Sequence, residues 1–211
     1  MVHGLREPGM IAIRVLTICA LMAPVVRAHA DDVDCTQFRI EPTATKPLHE
    51  GTPPRTCKAR TSNGFAIPDA DCTPGAINTS VTLGVLQNPA FRTACLRGQT
   101  TSEKQKNGTY DTYGIPHPDH NTGVMQVCEL DHLISLELGG ADTLDNIWPQ
   151  CGPNDVALIH RYFKQKDIVE NFLAKQVREG VMRLEDVQKG IASDWTQYLD
   201  VAKAACKSAK C

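Results

Sequence analysis

The chain has 211 residues, 42% apolar and 22% charged, with 15 Gly, 13 Pro and 9 Cys and a formal net charge of −2. This is globular composition, and it excludes a disordered, collagen-like or uniformly basic nucleic-acid-coating protein. The most apolar stretch, Val15 to Val26, lies between Arg14 and Arg27 and falls short of the roughly 20 residues that a membrane-spanning helix needs.

In chain order, that stretch has the layout of a secretory signal: Arg6 and Arg14 form a basic start, the apolar run follows, and Ala28-His29-Ala30 gives a small-x-small cleavage pattern. We expect a signal peptide over residues 1–30 and an exported mature chain, periplasmic or secreted, with no membrane contact of its own. Losing Arg6, Arg14, Arg27 and Glu7 leaves 19 basic and 23 acidic side chains, a net charge of −4, so phosphate binding would have to be local. Residues 31–74 are rich in Thr, Pro, Asp and Gly and read as disulfide-tied loop. The stretch Asn78 to Gly98 reads as a short helix or strand, and Gln99 to Thr122 as irregular. Residues 75–211 form the second expected domain.

Two helices are expected further on. From Val156 to Val177 the residues Ile159, Phe163, Val169, Phe172, Leu173 and Val177 recur at helical spacing until Gly180 supplies a stop. Leu184, Val187, Ile191, Trp195 and Tyr198 repeat the pattern, with Glu185 and Asp186 in the first turn. Both stripes are read as core. Beyond the leader, Cys35, Cys57, Cys72, Cys95, Cys128, Cys151, Cys206 and Cys211 contain no Cys-x-x-Cys pair, so disulfides are expected rather than a zinc ribbon.

Cys128-Glu129-Leu130-Asp131-His132-Leu133-Ile134-Ser135-Leu136-Glu137-Leu138-Gly139-Gly140, a polar stretch from Ala141 to Asp145, and Asn146-Ile147-Trp148-Pro149-Gln150 read as strand, Gly-bearing loop and strand. With the helix behind them they make a ββα unit. If Asp131 lies opposite Ile147, Cys128 falls opposite Gln150 and one step from Cys151, within reach of a Cys128–Cys151 bridge that would clamp the open end of the hairpin. Gly139-Gly140 is expected to shape the loop and not to cradle phosphate, since no helix follows it. Trp148 and Pro149 read as a hydrophobic plug, Glu137 as a solvated or structural carboxylate, and His117 and His120 as polar loop residues.

These residues resemble the HNH or His-Me-finger nucleases, specifically an exported bacterial branch carrying Asp-His-Leu-Ile-Pro-Leu-Glu-Leu-Gly-Gly and then Asn-Leu-Trp-Pro-Gln. The chain has Ser135 where that branch has Pro and Ile147 where it has Leu. Cys72-Thr73-Pro74-Gly75-Ala76, Val81-Thr82, Tyr113-Gly114-Ile115, Lys166-Asp167 and Ile191-Ala192-Ser193-Asp194-Trp195 extend the likeness over roughly residues 71–198. The resemblance implies an α+β fold, a ββα-metal unit followed by C-terminal helices, and a phosphodiester-hydrolysing endonuclease acting on DNA or RNA.

It further implies roles. His132 would be the general base that takes a proton from water. Asp131 would bind a divalent cation, magnesium first and manganese or zinc as alternatives, to stabilise the charge of the transition state. Asn146 would tie the loop to the strand and orient the base. The remaining metal ligand is Asn154 or, alternatively, His160. On the first of the two expected helices, Arg161, Lys164 and Lys166, with Lys175 and Arg178, outnumber Asp167 and Glu170 and are the expected phosphate-backbone contacts, with little sequence preference. The other reading is a catalytically silent ββα domain that serves as a secreted binding or structural module.

Overall fold

The computed structural model describes residues 34–48, 56–98, 100–207, Met1 and Cys211. The chain divides into residues 1–32 and a second unit, Val33–Cys211, which is the one described below. The expected signal peptide lies outside the described residues.

Among the described residues, the second unit is a mixed α+β body with three two-stranded antiparallel sheets and a helical C-terminal part. β1 (Thr45–Pro47) pairs with β4 (Ala76–Asn78), and β2 (Arg60–Ser62) pairs with β3 (Phe65–Ile67). The segment read as loop thus carries three strands. It does not stand apart as a separate domain, because β1 pairs across the expected boundary at residue 75 and Cys35 is bridged to Cys95.

Two short helices follow. α1 (Leu83–Gln87) starts where the Thr82 hydroxyl caps the Val85 amide. α2 (Glu103–Thr112) lies in the stretch expected to be irregular. Its start is fixed by a reciprocal capping box, the Ser102 side chain accepting from the Gln105 amide while the Gln105 side chain accepts from the Ser102 amide.

β5 (Cys128–His132) and β6 (Ile147–Cys151) form the expected hairpin. The register differs from the expectation by one residue: His132, and not Asp131, pairs with Ile147, so Cys128 stands directly opposite Cys151. The Cys128–Cys151 bridge forms there, with Cα atoms 4.0 Å apart. The other disulfides are Cys35–Cys95, Cys57–Cys72 and Cys206–Cys211. Four bridges in one small unit fit an oxidising, extracytoplasmic compartment.

α3 (Tyr162–Arg178) packs on both strands of the hairpin, and α4 (Leu184–Asp194) and α5 (Leu199–Ala205) pack on α3. α3 begins later than the periodicity suggests. Residues Leu158–His160 form a separate 3-10 turn, and Arg161 is extended, with ψ of 151°. Ile159 is accordingly exposed and lies outside the core stripe. The C-terminal stop is as expected: Gly180 takes φ +72°, a left-handed conformation that costs glycine little.

Trp148, Trp195, Val169, Leu173, Val187 and Ile191 are fully buried in one hydrophobic cluster, and Phe163 is buried as well. Each such side chain contributes about 1.5–3 kcal/mol of transfer free energy. Trp148 is the expected plug behind the second strand. Among the described residues no helix is long and apolar enough to cross a membrane.

Candidate functional site

The hairpin loop is built around Asn146, which is wholly buried. Its Oδ1 accepts from the Ile134 amide at 2.9 Å and the Ala76 amide at 3.4 Å, while its Nδ2 donates to the Ile134 and Ala141 carbonyls at 3.0 and 2.8 Å. One side chain therefore ties the exit of β5, the far side of the loop and strand β4 together. This is the tying role expected of Asn146, but its amide makes no bond to His132 and does not line the cavity described below. What the geometry gives Asn146 is a structural tie between these backbone segments. The loop can close this tightly only with glycine at 140, since a Cβ there would fall 1.8 Å from the Ile134 carbonyl oxygen.

His132 ends β5 and its side chain is 9% exposed. Nε2 lies 2.8 Å from Oδ1 of Asp142. Asp142 also receives the Lys106 ammonium, 2.9 Å from Oδ1 and 3.2 Å from Oδ2, and the Gly98 amide at 2.6 Å. Burial alone would raise Asp142, but the hydrogen bonds from His132, Lys106 and Gly98 overcome it and hold the carboxyl at about 2. Because Asp142 is an ionised acceptor, the proton of neutral His132 is assigned to Nε2, which leaves Nδ1 as the basic nitrogen. Burial lowers the His132 pKa; the Asp142 hydrogen bond opposes this, and the charges of Arg97 and Lys106 lower it further. The imidazole is therefore neutral at physiological pH.

His132 opens into a polar cavity of about 210 Å³ whose walls include Asp131, Glu129, Ser135 and Glu137 from the hairpin and Asp167, Glu170 and Asn171 from α3. Arg97 lines it as well. The α3 residues recur at helical spacing and so present one face to this cavity.

Beside the cavity, Lys166 is completely buried. Its ammonium donates to the His132 carbonyl at 2.7 Å and to Glu170, and lies 2.8 Å from Asp131 Oδ2. The Asp131 contact is an ion pair without a well-directed hydrogen bond. Two carboxylates share one ammonium. Burial raises Asp131 to about 6 and Glu170 to about 8 against the opposing pull of Lys166, while the two carboxylates outweigh the burial of Lys166 and raise its pKa.

Several expected site residues stand elsewhere. Asn154 and His160 are both exposed and line neither this cavity nor any other described one, so they do not join Asp131 as ligands. Among the described residues no three His, Cys, Asp or Glu side chains gather as a metal-ion site. Lys166, read as a phosphate contact, is interior, because its place on α3 aims it at Asp131. Lys164 is only a third exposed and is engaged by Asp167 at 2.8 Å and Glu129 at 3.5 Å. Arg161 is 6% exposed, with Nε and Nη1 buried and without hydrogen-bond partners. The basic face expected on α3 is therefore not a free cationic surface. Glu137 is partly exposed and meets Arg178 at 3.3 Å.

Asp142 and Lys106 escape a reading by motif. Asp142 looks like one more polar loop residue after Gly139-Gly140, and Lys106 reaches it from a helix 36 positions upstream. Compared with family models, curated proteins and solved structures, the chain matches none.

Proposed function

We propose that the protein is an exported hydrolase that cleaves phosphodiester bonds in DNA or RNA, with His132 as general base, and that the β5–β6–α3 arrangement is a ββα unit of the HNH type. The observation that carries this reading is the His132–Asp142 pair: a buried carboxylate fixes Nε2, and Nδ1 is left without a hydrogen-bond partner among the described residues, beside a polar cavity.

In this mechanism Nδ1 takes a proton from a water as the oxygen attacks phosphorus, and the phosphorus–oxygen bond to the 3′ leaving oxygen breaks, that oxygen taking a proton from solvent to end as a hydroxyl. The imidazolium formed keeps its hydrogen bond to Asp142, whose negative charge stabilises it. Lys166 holds the His132 carbonyl, and Asn146 holds the next turn of backbone, so the ring is oriented from both sides of its own residue. Low sequence preference follows from a cavity that addresses phosphate and not base edges.

A divalent cation bound by Asp131 with Asn154 or His160 does not fit: those side chains do not converge, and Asp131 already faces an ammonium. That same engagement of Asp131 favours the second reading, a silent ββα domain with a binding or structural role.

Incubation of the oxidised chain with plasmid DNA and with RNA, in magnesium, manganese, zinc or chelator, separates the two. Nicking or hydrolysis that His132→Ala abolishes supports the hydrolase; a parent chain inert in every condition leaves the silent domain.

A further inference from the structure

The cavity beside His132 is walled by five carboxylates, yet almost all of their charge is already answered. Glu129 and Asp167 share Lys164, Asp131 and Glu170 share Lys166, and Glu137 meets Arg178. Arg97 is different. It lines the same cavity, its side chain is exposed, and among the described residues it has no ion-pair or hydrogen-bond partner.

The backbone carrying Arg97 is firmly placed. Cys95 is buried and bridged to Cys35, Leu96 is buried, and the Gly98 amide donates to Asp142, the carboxylate that orients His132. A guanidinium without a partner among the described residues is thus anchored one residue from the amide that holds Asp142.

Ser135 supplies the second observation. It lines the cavity, is 7% exposed, and its hydroxyl finds no hydrogen-bond partner. A buried hydroxyl without a partner is costly unless something else meets it. The fold does not need this side chain. Ser135 has φ of −62°, its amide is not hydrogen-bonded among the described residues, and its backbone carbonyl alone accepts from Leu138 and Gly140. Proline would suit the backbone there equally well.

We infer that Arg97 and Ser135 form a clamp for the anionic phosphate of the substrate, Arg97 holding a non-bridging oxygen and the Ser135 hydroxyl, turned about its single χ1 torsion, donating to a second. This rests on the hydrolase reading for its substrate but names the two groups that would seat the reacting phosphate beside Nδ1 of His132. Arginine suits the task because its planar fork meets two oxygens of a phosphate at once and stays charged.

The test is isothermal titration of the exported, oxidised chain with inorganic phosphate, paired with steady-state cleavage of plasmid DNA. Arg97→Ala should weaken phosphate binding at least tenfold and Arg97→Lys should restore part of it. Ser135→Ala and Ser135→Pro should each weaken it about threefold or more, with circular dichroism unchanged, and Lys58→Ala, at an exposed cation remote in sequence, should leave it as in the parent. No phosphate binding by the parent chain, or binding as tight in Arg97→Ala as in the parent, overturns the clamp; unchanged binding in both Ser135 variants removes Ser135 from it. Phosphate binding that depends on Arg97 in a chain that cleaves neither DNA nor RNA would support the clamp and refute the hydrolase. Cleavage with unaltered KM and kcat in Arg97→Ala would do the reverse.

Discussion

Asp142 Oδ1 lies 2.8 Å from His132 Nε2, although the two are ten positions apart in the chain, and Lys106 and the Gly98 amide hold the same carboxylate. Removing the charge while keeping the shape isolates what this contact does. Asp142→Asn should lower kcat by about 10²-fold, in the range lost when a group that orients a functional histidine is replaced. It should also shift the tautomer of His132, visible in the ring ¹⁵N chemical shifts.

The pH dependence of cleavage follows from the same environment. Burial depresses His132 below the ordinary histidine value, and Asp142 only partly offsets it. The proposed base acts as the neutral ring, so the rate should rise with pH through a midpoint below the ordinary ~6.5 and be level across neutrality. In Asp142→Asn the offset is gone and the midpoint should move lower still. A midpoint above the ordinary value would mean that the imidazolium, and not the imidazole, is favoured in the fold.

The Asp131–Lys166–Glu170 cluster makes an opposite prediction for stability. Glu170 titrates at about 8 in the fold against an ordinary 4.5, so the stability it contributes is fully present below 4.5 and is lost as pH rises through 8. Glu170→Gln removes that titration. The variant should therefore gain in Tm relative to the parent between pH 5 and pH 9, read by thermal melts at the two pH values. Lys166→Met, which leaves the buried Asp131 carboxylate without its cation, should cost about 3–5 kcal/mol at neutral pH in urea melts.

How far the sequence reached is clearest at the hairpin. Strand, loop and strand, the stop at Gly180, the burial of Trp148 and the Cys128–Cys151 bridge were all legible, because each is set by local pattern or by pairing between neighbours in sequence. Even so, the bridge was reached through a register displaced by one residue, which would have put Asp131 and His132 each on the wrong face. The α2 helix was hidden by its polar composition, although Ser102 and Gln105 carry the spacing of a capping box. Long-range contacts were not legible: nothing near Asp142 announces that Lys106 reaches it. Lys166 looked like a surface cation because a Lys-rich helix normally faces water, and only the position of Asp131 reveals that it does not.

Asn146 offers a test of positioning against chemistry. Asn146→Ala deletes four hydrogen bonds from a buried loop. It should destabilise the protein by on the order of 3 kcal/mol, since the stranded backbone groups stay buried. His132→Ala should unfold within about 1 kcal/mol of the parent, because its ring makes one such bond. Paired urea melts compare the two, and equal losses would contradict the division of roles.

The Cys128–Cys151 bridge closes a segment of 23 residues at the end of the hairpin remote from His132. Replacing both cysteines with serine should cost about 3 kcal/mol in the chain-entropy description. Peptide mapping of the oxidised chain should recover Cys128 with Cys151 and Cys35 with Cys95.

The most direct measurement is cleavage of plasmid DNA and of RNA by the parent chain and by His132→Ala, side by side, with phosphate binding followed on the same samples. The parent should hydrolyse at least one of the two polymers, and the alanine variant should fall by about 10²–10⁴-fold while still binding phosphate. A His132→Ala variant that cleaves as fast as its parent would contradict the role assigned to His132, and a parent that cleaves neither polymer would contradict the hydrolase itself.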